Sequence, residues 1–177
     1  MIEQIADGVA GDGNFRTGDS FEQEGKEQER KMSEIDNLLR RIETEKRSFD
    51  QPVWPPALPA DIERLRAYAR ESLQTDLPRG YIAFLRSHDG LDFNGYVVYG
   101  ATEHQAPFLD GFAEANARLA DPPAKYVFYG NTGHELFAQD RDCGTWVRLD
   151  NPSLDVMEEF ASFEAMLERV LRDAYEE

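Results

Sequence analysis

The sequence predicts an α+β domain: an antiparallel sheet of about four strands, with helices packed on one face and a closing C-terminal helix. Three observations predict it. Apolar residues recur at helical spacing through the first half of the chain, strand-like runs take over after Gly95, and a helical stripe returns beyond Ser162. The 177 residues, 41% of them hydrophobic, suffice for one core plus a tail.

Residues 1–31 read as a disordered, acidic extension, because Gly8, Gly11, Gly13, Gly18 and Gly25 interrupt any helix and apolar residues are sparse. Met32 then opens "MSEIDNLLRRIETEK" like a fresh beginning, so the single domain is placed at residues 32–177. The extension either lies upstream of the true start or hangs from the domain as an appendage. Ser33 is the expected N-cap of the first helix, with Asp36 in capping-box position. Ile35, Leu38, Leu39 and Ile42 form its apolar face, and the helix is expected to end near Arg47. "FDQPVWPPALP" cannot continue it, since Pro52, Pro55, Pro56 and Pro59 remove donors and fix φ. It reads as a stiff strap whose Trp54 plugs onto the core.

A second helix is expected from about Asp61, facing inward with Ile62, Leu65, Tyr68, Ala69 and Leu73. Pro78 suits the first turn of a third, with Tyr81, Ile82, Phe84 and Leu85 on its stripe and Gly90 as the stop. "GYVVYGA" is a strand by its β-branched and aromatic content, with Gly90, Gly95 and Gly100 serving the turns around it. "FLDGFAEANARLAD" reads as a broken helix or irregular connection. Lys125 to Asp140 reads as a hairpin about "GNTG", "RDCG" turns into the strand "TWVRLD", and "NPSLD" turns again. Ser162 is the expected cap of the last helix, which carries Phe163, Met166, Leu167, Val170 and Leu171.

The net charge is −16, and its placement is uneven. Residues 1–31 carry −4, residues 32–86 balance, and residues 87–177 hold 18 acids against 6 bases. Self-repulsion opposes compactness, so a lopsided field points either to solubility or to a cationic partner. It disfavours nucleic acid, which requires a basic stripe to neutralise phosphates. No stretch has the roughly 20 apolar residues of a membrane-spanning helix. The N-terminus shows neither the basic start nor the apolar run of a secretory signal, and the lone Cys143 fits a reducing cytoplasm, which is the expected location.

Catalytic patterns are scarce. His88, His104, His134 and Cys143 share no close ligand spacing, so no metal site is expected. Cys143 has no neighbouring base to raise its thiolate fraction, and Ser153 lacks a nucleophile elbow. The acid pairs Asp89/Asp92, Asp140/Asp142 and Glu158/Glu159 match turn chemistry as well as they match a carboxylate dyad. "DRDCG" lacks the terminal Glu of a calcium loop, and single glycines build no phosphate cradle. No enzyme activity and no cofactor are expected.

"LPRGYIAFLRSHDGLDFNGYVVYG" resembles the signature of the SUKH superfamily of Smi/Knr-like domains. The matching parts are Leu77-Pro78, Tyr81 to Leu85, Asp89-Gly90, Asn94-Gly95 and Tyr96 to Gly100. "YVFYGNTGHELFAQD", "TWVRLDNPSLDVMEEFASFEAML" and the Asp-Gly-Phe of "FLDGFAEAN" look like its bacterial YrhA-type branch, and the likeness covers about Ser33 to Tyr175. It implies an α+β fold without catalytic residues. Bacterial members are commonly immunity proteins that neutralise a polymorphic toxin by direct binding, while fungal relatives are interaction hubs.

The leading expectation is therefore an immunity protein bound stoichiometrically to a cognate toxin. The acidic half would suit a basic toxin, such as a nuclease with a cationic groove. Asp89, Asp92, Glu103, Asp140 and Asp142 are the candidate contact acids, with Trp146 or His134 as an anchor, although Trp146 also fits a buried strand position. A regulatory scaffold without a toxin and a hydrolase using an acid pair or Cys143 are the competing readings.

Overall fold

The computed structural model describes residues 34–102, 110–119 and 125–176. The expectations for residues 1–31, for Ser33, Glu103 and His104 lie outside them. Helix α1 occupies residues 34–48, and its predicted stripe of Ile35, Leu38, Leu39 and Ile42 is buried. The strap follows. It is tied to the exit of the third helix, where Ala57 N donates to Leu85 O at 2.9 Å and Asp89 N to Pro55 O at 2.8 Å. Trp54 packs partly buried against the core, as the strap reading required.

Helix α2 runs Pro59–Ser72, two residues ahead of the expected start, because a proline at the first helical position costs no hydrogen bond. Helix α3 is Arg79–Leu85, with Pro78 at its N-cap rather than in its first turn. Strand β1, Leu91–Phe93, then turns through Asn94-Gly95 into β2, Tyr96–Val98. Both turn residues hold positive φ, +48° and +80°, the condition that Asn-Gly meets most readily. The segment expected to be broken or irregular contains a regular helix, α4, Phe112–Leu119.

The remaining strands are β3, Tyr126–Asn131; β4, Glu135–Asp140; β5, Trp146–Asp150; and β6, Val156–Phe160. Helix α5, Phe163–Glu176, closes the chain, and Ser162 caps it by accepting from Ala165 N at 3.2 Å. The class is α+β, as predicted, but the sheet has six strands and not about four. All pair antiparallel in the order β1-β2-β3-β4-β5-β6. The two strands that the sequence did not declare are the two edges. β1 has only three residues. In β6 a bulge lets Val156 face Leu149 and Glu158 face Arg148, leaving Met157 between them and breaking the period of two.

Successive residues of β3 and β5 are buried, so neither face of the sheet's centre is open. Tyr81 of α3 and Tyr129 of β3 lie 5.0 Å apart at their ring centres, and Phe163 of α5 lies within 6 Å of both. Burial pushes the phenols of Tyr81, Tyr99 and Tyr129 well above their ordinary range, which keeps this aromatic centre neutral. Helix α1 is clamped to α5 by the Arg172–Glu34 pair at 2.9 Å and by Arg41 over the Tyr175 ring at 3.9 Å.

Candidate functional site

The structure divides the predicted contact residues between inside and outside. Asp89 is buried. Its Oδ1 accepts from the backbone of Ala101 at 2.5 Å and Thr102 at 3.4 Å, and its Oδ2 from the Thr102 hydroxyl. That carboxylate latches the loop after α3 to the end of β2, so its bonds are made inside the fold. Trp146 is also inside, with ring centres 4.9 Å from Tyr129 and 5.4 Å from Phe163. The strand reading of this tryptophan holds, and an anchoring role at the surface is not open to its side chain as placed.

Asp140 ends β4 nearly buried. It pairs with Lys125 at 3.3 Å and accepts from Asp142 N at 2.9 Å, shaping the β4–β5 turn. Burial pushes this carboxyl up, but the turn's N–H groups and Lys125 outweigh that and hold it below the ordinary value. Asp92 is a third exposed on β1, where it lies 4.0 Å from the Lys46 ammonium. Burial drives the Lys46 pKa down, and Asp92 only partly opposes this. His134 and Asp142 are the fully surface-facing members.

Consecutive turns of a meander alternate between the two ends of a sheet. His134 sits at the end shared with the β5–β6 turn, where Asn151 N donates to His134 O at 2.8 Å. Asp142 sits at the other end. There a hollow of about 450 Å³ joins Cys143 and Thr145 to Glu159 and Ala161. β6 therefore runs from one of these exposed residues toward the other. Asp92 lies on the opposite edge of the sheet, so the predicted residues do not form one patch.

The sequence reading missed what β6 carries. Leu154, Val156 and Met157 are 41%, 47% and 56% exposed, a run of large apolar side chains in solvent beside three carboxylates, Asp155, Glu158 and Glu159. The apolar pair next to a turn was visible as "LDVMEEF", but it reads equally as the start of a buried strand. Glu158 shares a face with Arg148 across the ladder, and the nearly buried Arg148 guanidinium gathers Glu135 at 2.8 Å, Asp173 at 2.9 Å and Glu158 at 3.6 Å. Burial works against that charge, and the carboxylates more than offset it, so Arg148 stays cationic.

The other reactive residue types are engaged locally. His88 bridges α1 to the turn after α3 through Glu43 at 2.6 Å and Ser87 at 2.9 Å, stacked on Phe84. The exposed Cys143 thiol donates to the Thr145 hydroxyl at 3.2 Å. Ser153 Oγ stands between the Asp150 and Asp155 carboxylates, within the β5–β6 turn. Among the described residues no three His, Cys, Asp or Glu side chains gather as metal ligands, and no helix is long and apolar enough to cross a membrane. No protein-family model and no curated protein matches the chain.

Proposed function

We propose that the chain is a bacterial immunity protein that binds a cognate toxin stoichiometrically in the cytoplasm and neutralises it without catalysis. The observation that carries this reading is the β6 face, where Leu154, Val156 and Met157 stand in solvent flanked by acids. Solvent-facing apolar side chains rimmed by charge mark a protein–protein interface more often than a substrate site, which is concave and convergent. The resemblance to Smi/Knr-like domains and the acidity of residues 87–177 support the same reading.

A basic toxin, nuclease-like in its cationic groove, is the partner that this charge would favour. Opposite fields steer encounter and raise the association rate, while the apolar centre supplies the affinity. Asp142 and Glu159 are the acids best placed to act at one end of β6, and His134 lies at the other.

The test is co-expression with the product of the adjacent gene. Growth restored by the chain, together with a complex isolated from those cells, supports the reading. A harmless neighbour, or toxicity that persists with the chain abundantly folded, overturns it and leaves the regulatory scaffold.

A further inference from the structure

Resting on the reading of the chain as a partner-binding protein, we propose that the β6 edge takes a short, extended, basic segment of that partner as a seventh strand of the sheet. The sheet has two edges and treats them differently. At β1, the buried Lys46 of α1 donates its ammonium to the carbonyl of Asp92, the middle residue of the strand, and the Asn94 side chain donates to Ala174 O at 2.9 Å. That edge is closed by its own chain. At β6, among the described residues, no hydrogen bond reaches the backbone of Val156–Phe160 from beyond the β5 ladder. An antiparallel edge turns every second N–H and C=O outward, which makes such a strand a template for another.

The chemistry of the edge selects its occupant. Leu154 to Phe160 contains three carboxylates and no base. In a second copy paired antiparallel about the strand's centre, Glu158 would face Glu158, and like charges directly opposite are destabilising. Glu158 already lies 3.6 Å from Arg148, but Asp155 and Glu159 form no ion pair among the described residues and would meet lysine or arginine on an incoming strand favourably. The bulge at Met157 shortens the flat run, so the added strand is short, and the exposed Val156 and Met157 offer it apolar contact. The edge is thus guarded against itself by charge and open to the opposite charge.

The experiment uses the full chain, isotope-labelled, titrated with a synthetic peptide of about ten alternating lysines and valines, and separately with its glutamate counterpart. The expected result is amide shifts centred on residues 156–160, cross-strand contacts between the peptide and β6, and no binding of the glutamate peptide. Affinity should fall several-fold between about 50 and 300 mM salt. Glu159→Lys should weaken it by about fivefold with the circular dichroism spectrum unchanged. Shifts that map elsewhere, equal binding of both peptides, absence of binding, or self-association through β6 without peptide would overturn the proposal. A toxin neutralised while its complex leaves β6 unprotected from hydrogen exchange would remove the strand addition and spare the immunity reading. A seated basic peptide without any neutralised toxin would do the opposite.

Discussion

Asn116 exchanges two hydrogen bonds with the backbone of Phe128: its Nδ2 donates to the carbonyl at 2.8 Å and its Oδ1 accepts from the N–H at 2.9 Å. The side chain of a helix residue thereby stands in for a strand. β2 pairs with β3 at Val97 and Val98, and Tyr99 N still reaches Tyr129 O at 2.9 Å, but one residue further the ladder has no neighbour on that side. Asn116 fills the gap from α4 and also donates to Phe112 O at 2.9 Å. Asn116 is fully buried, so the Phe128 N–H and C=O would otherwise be orphaned in the core.

Asn116→Ala should therefore destabilise the fold by about 3 kcal/mol, since it strands a buried N–H and a buried C=O and leaves a void. Asn116→Leu should be no better, because it fills space without restoring a donor or an acceptor. Urea unfolding of the three proteins checks this. A loss below about 1 kcal/mol for the Leu variant would show that the backbone of Phe128 finds other partners.

Two glycines at positive φ, Gly90 just before the β1–β2 hairpin and Gly95 in its turn, differ in their surroundings. At Gly90, φ +91°, an added Cβ would lie 3.0 Å from Gly100 N and 3.1 Å from Val98 O. At Gly95, φ +80°, it would meet nothing within 4 Å. Gly95→Ala should cost only the left-handed strain, about 1 kcal/mol. Gly90→Ala adds a tight approach to the backbone of Gly100 and Val98 and should cost more than Gly95→Ala, read as the difference in melting temperature between the two variants.

Asp89 and Asp142 belong to the same sequence pattern, acids in turns, and have opposite fates. Asp89→Ala should cost about 2–3 kcal/mol, because the N–H groups of Ala101 and Thr102 lose their acceptor. Asp142→Lys should move stability by no more than about 0.5 kcal/mol while slowing association with the proposed toxin partner. Paired measurements of thermal midpoint and association rate separate the two effects.

Asp140 gives the fold an acid-sensitive contribution. Its carboxyl is held below its ordinary value of 3.8 in the native state, so the unfolded chain takes up its proton first as the pH falls. The stabilisation is fully present above about pH 4 and is lost below it as the native carboxyl protonates. Asp140→Asn should be less stable than the parent at pH 7, and the gap should narrow between about pH 4 and pH 2 in thermal melts. A gap that stays constant across that range would mean the Lys125 and Asp142 contacts do not depend on the charge.

The sequence announced those parts of the fold whose period or turn chemistry is local. The α1 stripe, the Asn94-Gly95 turn, the β3–β4 hairpin and the Ser162 cap all follow from neighbours a few residues apart. β6 was hidden because its bulge places Val156 and Met157 side by side ahead of two glutamates, a pattern with no period of two. α4 was hidden by its short length and by Asn116, a residue that disfavours helix interiors and is explained only by the strand it serves. For the site, composition could find the acidic half of the chain. It could not tell Asp89 from Asp142, because burial depends on where β2 and the strap pass. Nor could it reveal that β1 is closed by Lys46, a residue 46 positions away, while β6 is not.

The most direct test follows the activity of the purified toxin as this protein is added in measured molar ratio. Neutralisation by binding predicts a linear fall that reaches its floor at one equivalent, with activity recovered when the complex is dissociated. Complete loss at a small fraction of an equivalent, growing with time and not restored by separation, would mean that the protein transforms its target and would contradict the reading.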